Sequence, residues 1–157
     1  LIHLGSFYRQ ENSSFALEFS RYGFAEVCAR VARDLFRAAS IFSGYRLPEL
    51  YAGLPRQTGS FPGQYLGANI PQAWAAGSVF QLIQALLGLR ADAPGKRLLV
   101  HPTLPKWLPD VQLHGLQVGR TRLDLKFWLE NDTSRFEVVS QDGPEISVVE
   151  EPWAPWP

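Results

Sequence analysis

Apolar residues recur every four positions at Val27, Val31, Leu35 and Ala39 within "SSFALEFSRYGFAEVCARVARDLFRAASIF", which is the spacing of one helix face. They predict an amphipathic helix over residues 24 to 40, with Glu26, Arg30, Arg33 and Arg37 on its outer face. Upstream, Phe15, Leu17 and Phe19 mark an earlier helix, and the turn "RYG" joins the two as a hairpin at Gly23. A third helix is expected in "PQAWAAGSVFQLIQALLGL", with Pro71 at an allowed N-terminal position. There Trp74, Val79, Phe80, Leu82, Ile83, Leu86 and Leu87 leave almost no polar face, so burial on most sides is expected.

The period changes after "RADAPGKR". The stretches "RLLVHP", "VQLHGLQV", "TRLDLKFWL", "RFEVVS" and "EISVVE" are short, β-branched or alternating, with "GR", "NDTS" and "QDGP" between them. Leu123, Leu125 and Phe127 alternate with Arg122, Asp124 and Lys126, as on a half-buried antiparallel strand. The chain thus divides into helix and loop over residues 1–95, strands over residues 96–150, and a tail over residues 151–157 carrying Trp153 and Trp156. The fold class expected is mainly α with a C-terminal antiparallel β segment.

Between the second and third helices, residues 41–70 hold five Gly and three Pro, and "LPRQTGSFPGQYLGAN" is too broken for a helix. A loop of that length inside a domain is often functional. The apolar third helix calls for more helical neighbours than two, and the chain contains no Met and opens on the apolar "LIHLGSF". Both features lead to the expectation of a slice of a larger helical assembly. Coverage of Phe80, Leu82 and Leu86 together would count against it.

Charge narrows the function. With 15 basic and 15 acidic residues interspersed, no basic stripe exists to neutralise a phosphate backbone, which argues against nucleic acid. No run of about 18 apolar residues and no signal-peptide layout is present, so a soluble, cytoplasmic protein without membrane contact is expected. The single Cys28 sits beside apolar helix positions and is expected in the core. Neither a disulfide framework nor a cysteine metal cluster can be built from it.

Candidate chemistry centres on "GYRLPELYAG", where Glu49 is walled in by Tyr45, Leu47, Pro48, Leu50 and Tyr51. A carboxylate in such a run reaches solvent, caps a helix, pairs with Arg46 or Arg56, or is held for a purpose. The Gly and Tyr of this loop, with Trp74 just beyond it, are the materials of a sugar cleft, where aromatic faces stack on pyranose rings and a carboxylate activates water. Gln72 and Trp74 diverge by roughly 200° on a helix, so one of them faces a ligand while the other packs, or both merely build the helix start. His3 and Ser6 lack the G-x-S-x-G elbow of a serine hydrolase. His101 and His114 lack zinc-ligand spacing, and no phosphate-cradling glycine loop occurs, so neither metal nor cofactor is expected.

The segments "RYGF", "YRLPELYAGLPR", "PQAWAAGSVFQLIQALLGL" and "LPKWLPDVQLHGLQVGRTRLDLKF", in this order, resemble the C-terminal end of bacterial glycogen debranching enzyme-like proteins. These form the amylo-alpha-1,6-glucosidase group, related to mannosylglycerate hydrolases. The likeness covers roughly residues 2–128 and leaves 129–157 outside it. It implies a partial (α/α)6 toroid of the six-hairpin glycosidase type, with residues 2–40 a late hairpin, 72–89 the closing helix and 96–128 the β-segment.

The resemblance further implies an inverting glycoside hydrolase acting on α-glucosides. In such enzymes one carboxylic acid protonates the leaving oxygen and a second carboxylate activates water, ~6.5–9.5 Å away. Glu49, the glutamate of "LPEL", takes the position of the general base, and the acid is expected upstream, in the remainder of a parent polypeptide. The fragment alone would then be inactive. "HLGSFYRQEN" matches the family's H-N-G-S-V-W-P-H-D-N at His3, Gly5, Ser6 and Asn12, and departs from it at Leu4, Tyr8, Arg9, Gln10 and Glu11. His3, Tyr51, Gln72 and Trp74 are the substrate-binding candidates. The rival expectation is a non-catalytic carbohydrate-binding or degenerate module.

Overall fold

Among the described residues three α-helices precede six strands: α1 (Arg9–Arg21), α2 (Ala25–Ala39), α3 (Ala73–Leu87), β1 (Arg90–Asp92), β2 (Arg97–Val100), β3 (Asp110–Val118), β4 (Thr121–Glu130), β5 (Thr133–Asp142) and β6 (Ser147–Glu150). This computed structural model describes residues 9–51, 61, 63, 65 and 67–153.

The hairpin between α1 and α2 closes at Gly23, whose φ of 82° suits a residue without a Cβ. Its N–H donates to the Ser20 carbonyl at 3.1 Å, and the Phe24 N–H donates to the Phe19 carbonyl at 2.7 Å, which satisfies the last carbonyls of α1. On α2 the buried stripe is Cys28, Val31, Ala32, Leu35, Ala38 and Ala39, a helical repeat close to the one legible in the sequence.

On α1 the apolar pattern misleads. Ser13, Ala16 and Ser20 are buried, whereas Phe15 and Phe19 face outward. Small side chains let α1 approach α3 closely, and their hydroxyls bond across the contact. The Ser13 Oγ–H donates to Gln81 Oε1 at 2.7 Å, and the Ser20 Oγ–H donates to the Ala85 carbonyl at 2.8 Å.

The C-terminal half of α3 serves two cores. Its Leu82, Ala85 and Leu86 pack with Ala16, Cys28, Val31, Ala32 and Leu35, while Leu87 joins Leu98, Val100, Val118, Leu123, Leu125, Phe127 and Ile146 of the strand region. Leu82 and Leu86 are fully covered, but Phe80 is 76% exposed. The helix ends at Gly88 in the left-handed region, φ 62°.

The strands form two sheets, ordered β1-β2-β6 and β3-β4-β5. β6 lies parallel to β2, with Leu99 opposite Val149, and the other pairings are antiparallel. Leu123, Leu125 and Phe127 of β4 face inward and are essentially inaccessible.

The mainly-α expectation, and with it the partial (α/α)6 toroid, is overturned by this architecture. Three helices and two three-stranded sheets make an α+β fold. Most of the largest fully buried side chains lie on the strands, so the β region holds a core of its own and is no appendage to the helices. Strands also begin at Arg90, ahead of residue 96.

The start of the tail is anchored. The guanidinium groups of Arg21 and Arg90 each lie over the Trp153 ring, 5.3 and 5.0 Å from its centroid, and Arg90 Nη2 donates to the Glu151 carbonyl at 2.8 Å. Trp156 falls outside the described residues.

Candidate functional site

Past α2 the chain makes a short 3₁₀ turn at Ser43–Tyr45 and then runs extended. Leu47 is buried there with Ala39, Phe42 and Ala75, which ties the strap to the first turn of α3. The Gln72 N–H donates to the Leu47 carbonyl at 3.3 Å. Two residues along the strap, the Glu49 N–H donates to the Asn69 carbonyl at 2.9 Å. In return the Asn69 main-chain N–H and side-chain amide reach Glu49 Oε2 at 3.4 and 3.2 Å. Glu49 and Asn69 therefore clasp the two ends of the long loop.

Glu49 itself is half-buried. Among the described residues it forms no ion pair, and nothing donates to its Oε1. Neutral amide donors hold one carboxylate oxygen without cancelling the charge, which leaves the other with a lone pair to offer. Neither helix capping nor pairing with Arg46 accounts for this placement; Arg56 lies outside the described residues.

Tyr51 is half-buried beside the strap, its ring 5.9 Å from that of Phe42, which in turn lies 5.0 Å from Phe61. Gln72 is the N-cap of α3, half-buried and extended in backbone. Trp74 is 59% exposed, so it does not serve as a core residue. It lines an open cavity of about 400 Å³ with Gly77, Ser78, Phe80, Gln81 and Gln84. Glu49, Tyr51 and Gln72 are absent from that lining. The structure thus gathers Glu49, Tyr51 and Gln72 around one strap and turns Trp74 to a separate face of α3. His3 lies outside the described residues.

Two participants escaped the sequence reading. Asn69, partner of Glu49, sits 20 residues away in a loop with no periodicity to expose the pairing. Phe80 belongs to an almost wholly apolar helix, and only its place about 200° around that helix from the buried Ser78 and Leu82 turns it outward.

A second cluster lies on the strands. Asp124 Oδ1 accepts the Gly115 N–H at 2.7 Å, Oδ2 accepts the Ser140 hydroxyl at 2.9 Å, and His114 Nδ1 stands 3.9 Å from Oδ1. The Gly115 and Ser140 bonds hold the Asp124 carboxyl below the usual carboxylate range. Ser140 donates to the aspartate and not to the imidazole, and a carboxylate whose proton affinity is lowered is a poor activator of its oxygen. The cluster pins the β3 irregularity between Leu113 and Leu116.

Among the described residues no group of three or more His, Cys, Asp or Glu side chains could hold a metal ion, and no helix is long and apolar enough to cross a membrane. No family model matches the chain, and no curated protein matches it.

Proposed function

We propose that the chain is the C-terminal portion of an inverting glycoside hydrolase acting on α-glucosides, cytoplasmic and of the amylo-alpha-1,6-glucosidase kind, with Glu49 as the general base. The observation that carries this reading is the state of that carboxylate. Oε2 is fixed by Asn69, while Oε1 has no donor and no cation among the described residues. A carboxyl group oriented through one oxygen, with its other oxygen unengaged among the described residues, meets the geometric need of a water activator. The motif order around "LPEL" and "QAW" supports the same reading. The general acid would come from the remainder of a longer polypeptide, placed across the sugar from Glu49. Tyr51 and Gln72 would border the sugar beside Glu49, and His3 would join them from the preceding segment.

Replacement of Glu49 by Gln in that complete enzyme tests it. Turnover should fall by at least about a thousandfold with KM little changed, since the lost proton acceptor acts in the transition state. Unchanged turnover would remove Glu49 from the mechanism.

One observation favours a second reading, carbohydrate binding without chemistry. Trp74 and Phe80 present aromatic surface at a cavity that also holds the Gln81 and Gln84 amides, and Glu49 takes no part in it. Titration of the 157-residue chain with maltooligosaccharides, followed by tryptophan fluorescence, separates the two. Saturable binding lost in Trp74→Ala favours the binding module; no binding favours an incomplete cleft.

A further inference from the structure

β5 ends its sheet, so one edge of Thr133–Asp142 has no strand beside it among the described residues. Edges of soluble sheets are normally blunted by shortness, proline or a covering element. β5 is ten residues long, has no proline, and exposes Val138 and Val139 at 42% and 60%. What protects it is a bulge and the charges of Arg135 and Glu137, and those charges are of opposite sign. Asp124 lies opposite Ser140 and Leu125 opposite Val138, which leaves Val139 unmatched. The regular edge is therefore residues 133–138.

We infer that this edge pairs antiparallel with the same edge of a second copy of the chain, about a two-fold axis at Phe136. That register sets Arg135 opposite the partner copy's Glu137, and Glu137 opposite its Arg135, so both charged positions gain an opposite neighbour. Moving the axis one position along either way is disfavoured: at Glu137 it opposes two glutamates, and at Arg135 two arginines. An axis midway between residues would set one copy's apolar face against the other's polar face.

The charges already on the sheet extend the pattern. Lys126 lies 3.7 Å from Glu137 and Glu130 lies 3.4 Å from Arg135, so the outer face would read Lys126, Glu137, then the partner copy's Arg135, alternating in sign. On the inner face Phe136 stacks on the core residue Phe127 with centroids 6.2 Å apart. Pairing at the axis would bring the two Phe136 rings together and continue that core across the interface.

The interface is short, so the dimer is weak, forming between about 10 µM and 1 mM chain. Sedimentation velocity over that range tests it, with circular dichroism as the control for folding. Arg135→Glu and Glu137→Arg should each weaken association about tenfold or more, and the combined swap R135E/E137R should restore it to within about threefold. A chain monomeric throughout would overturn the proposal. So would a dimer indifferent to the single changes, which would assign association to the aromatic helix faces, and so would a double variant as weak as the singles.

Discussion

The hydroxyl of Ser20 on α1 donates to the main-chain carbonyl of Ala85 on α3 at 2.8 Å, inside a contact where neither residue is appreciably exposed. That carbonyl belongs to the final turn of α3, where intrahelical donors run out. The bond therefore joins two helices and satisfies a buried acceptor. Ser20→Ala should lower stability by ~1 kcal/mol, and Ser20→Leu by more, because the close approach leaves no room. Urea unfolding checks this, with a lowered midpoint and an unchanged slope expected. Phe15→Gln on the outward face should change the midpoint little.

Gly88 ends α3 in the left-handed region, and a Cβ there would stand 2.6 Å from the His101 carbonyl oxygen and 2.7 Å from its nitrogen. Both atoms are main chain and cannot step aside. Gly88→Ala should therefore cost about 2 kcal/mol or more, above the ~1–2 kcal/mol of the backbone conformation alone. The thermal midpoint measures it; a change below half that cost would mean that the contact between helix end and strand is loose.

Cys28 is fully buried between α1 and α3, and burial pushes its thiol up to about 11. It should resist a thiol reagent at pH 8 in the folded chain and react at once in urea. Fast labelling of folded protein would contradict the packing of the helical core.

Asp92 and Asp124 both sit below the usual carboxylate range. Asp92 is held there chiefly by a side-chain hydrogen bond from Arg97 and by the Gly95 N–H, and Asp124 by the Gly115 N–H and the Ser140 hydroxyl. A depressed folded value contributes stability above the ordinary unfolded value of about 3.9, and that contribution is lost as pH falls through the folded value. Unfolding midpoints should decline below about pH 4, and the double variant D92N/D124N should flatten the decline.

The strands were legible where one face is buried. Leu123, Leu125 and Phe127 alternate with polar residues because the sheet covers one side only, and the α2 stripe was legible for the same reason. The face of α1 was not, since patterning assumes that large apolar side chains go inward, whereas the close helix contact selects Ser13, Ala16 and Ser20 and turns Phe15 and Phe19 out. Fold class went astray because the strands, though legible, read as an appendage to a helical toroid, whereas Leu98, Val100, Val118, Leu123, Leu125 and Phe127 build a core of their own; the parallel pairing of β2 with β6, some fifty residues apart, left no local period either. At the candidate site Glu49 stood out as an acid in an apolar run, but its clasp with Asn69 depends on loop closure and leaves no trace in spacing.

The central claim, that Glu49 activates water, is tested most directly by chemical rescue. On the proposed reading, Glu49→Ala in the full-length protein would remove the base and open a space beside Asn69 in which a small anion could attack the sugar without needing deprotonation. Added azide should restore turnover of the variant at least tenfold over its azide-free rate and yield a glycosyl azide of inverted configuration. A variant as active as the wild type, or an inactive one that azide leaves unchanged, would contradict the account.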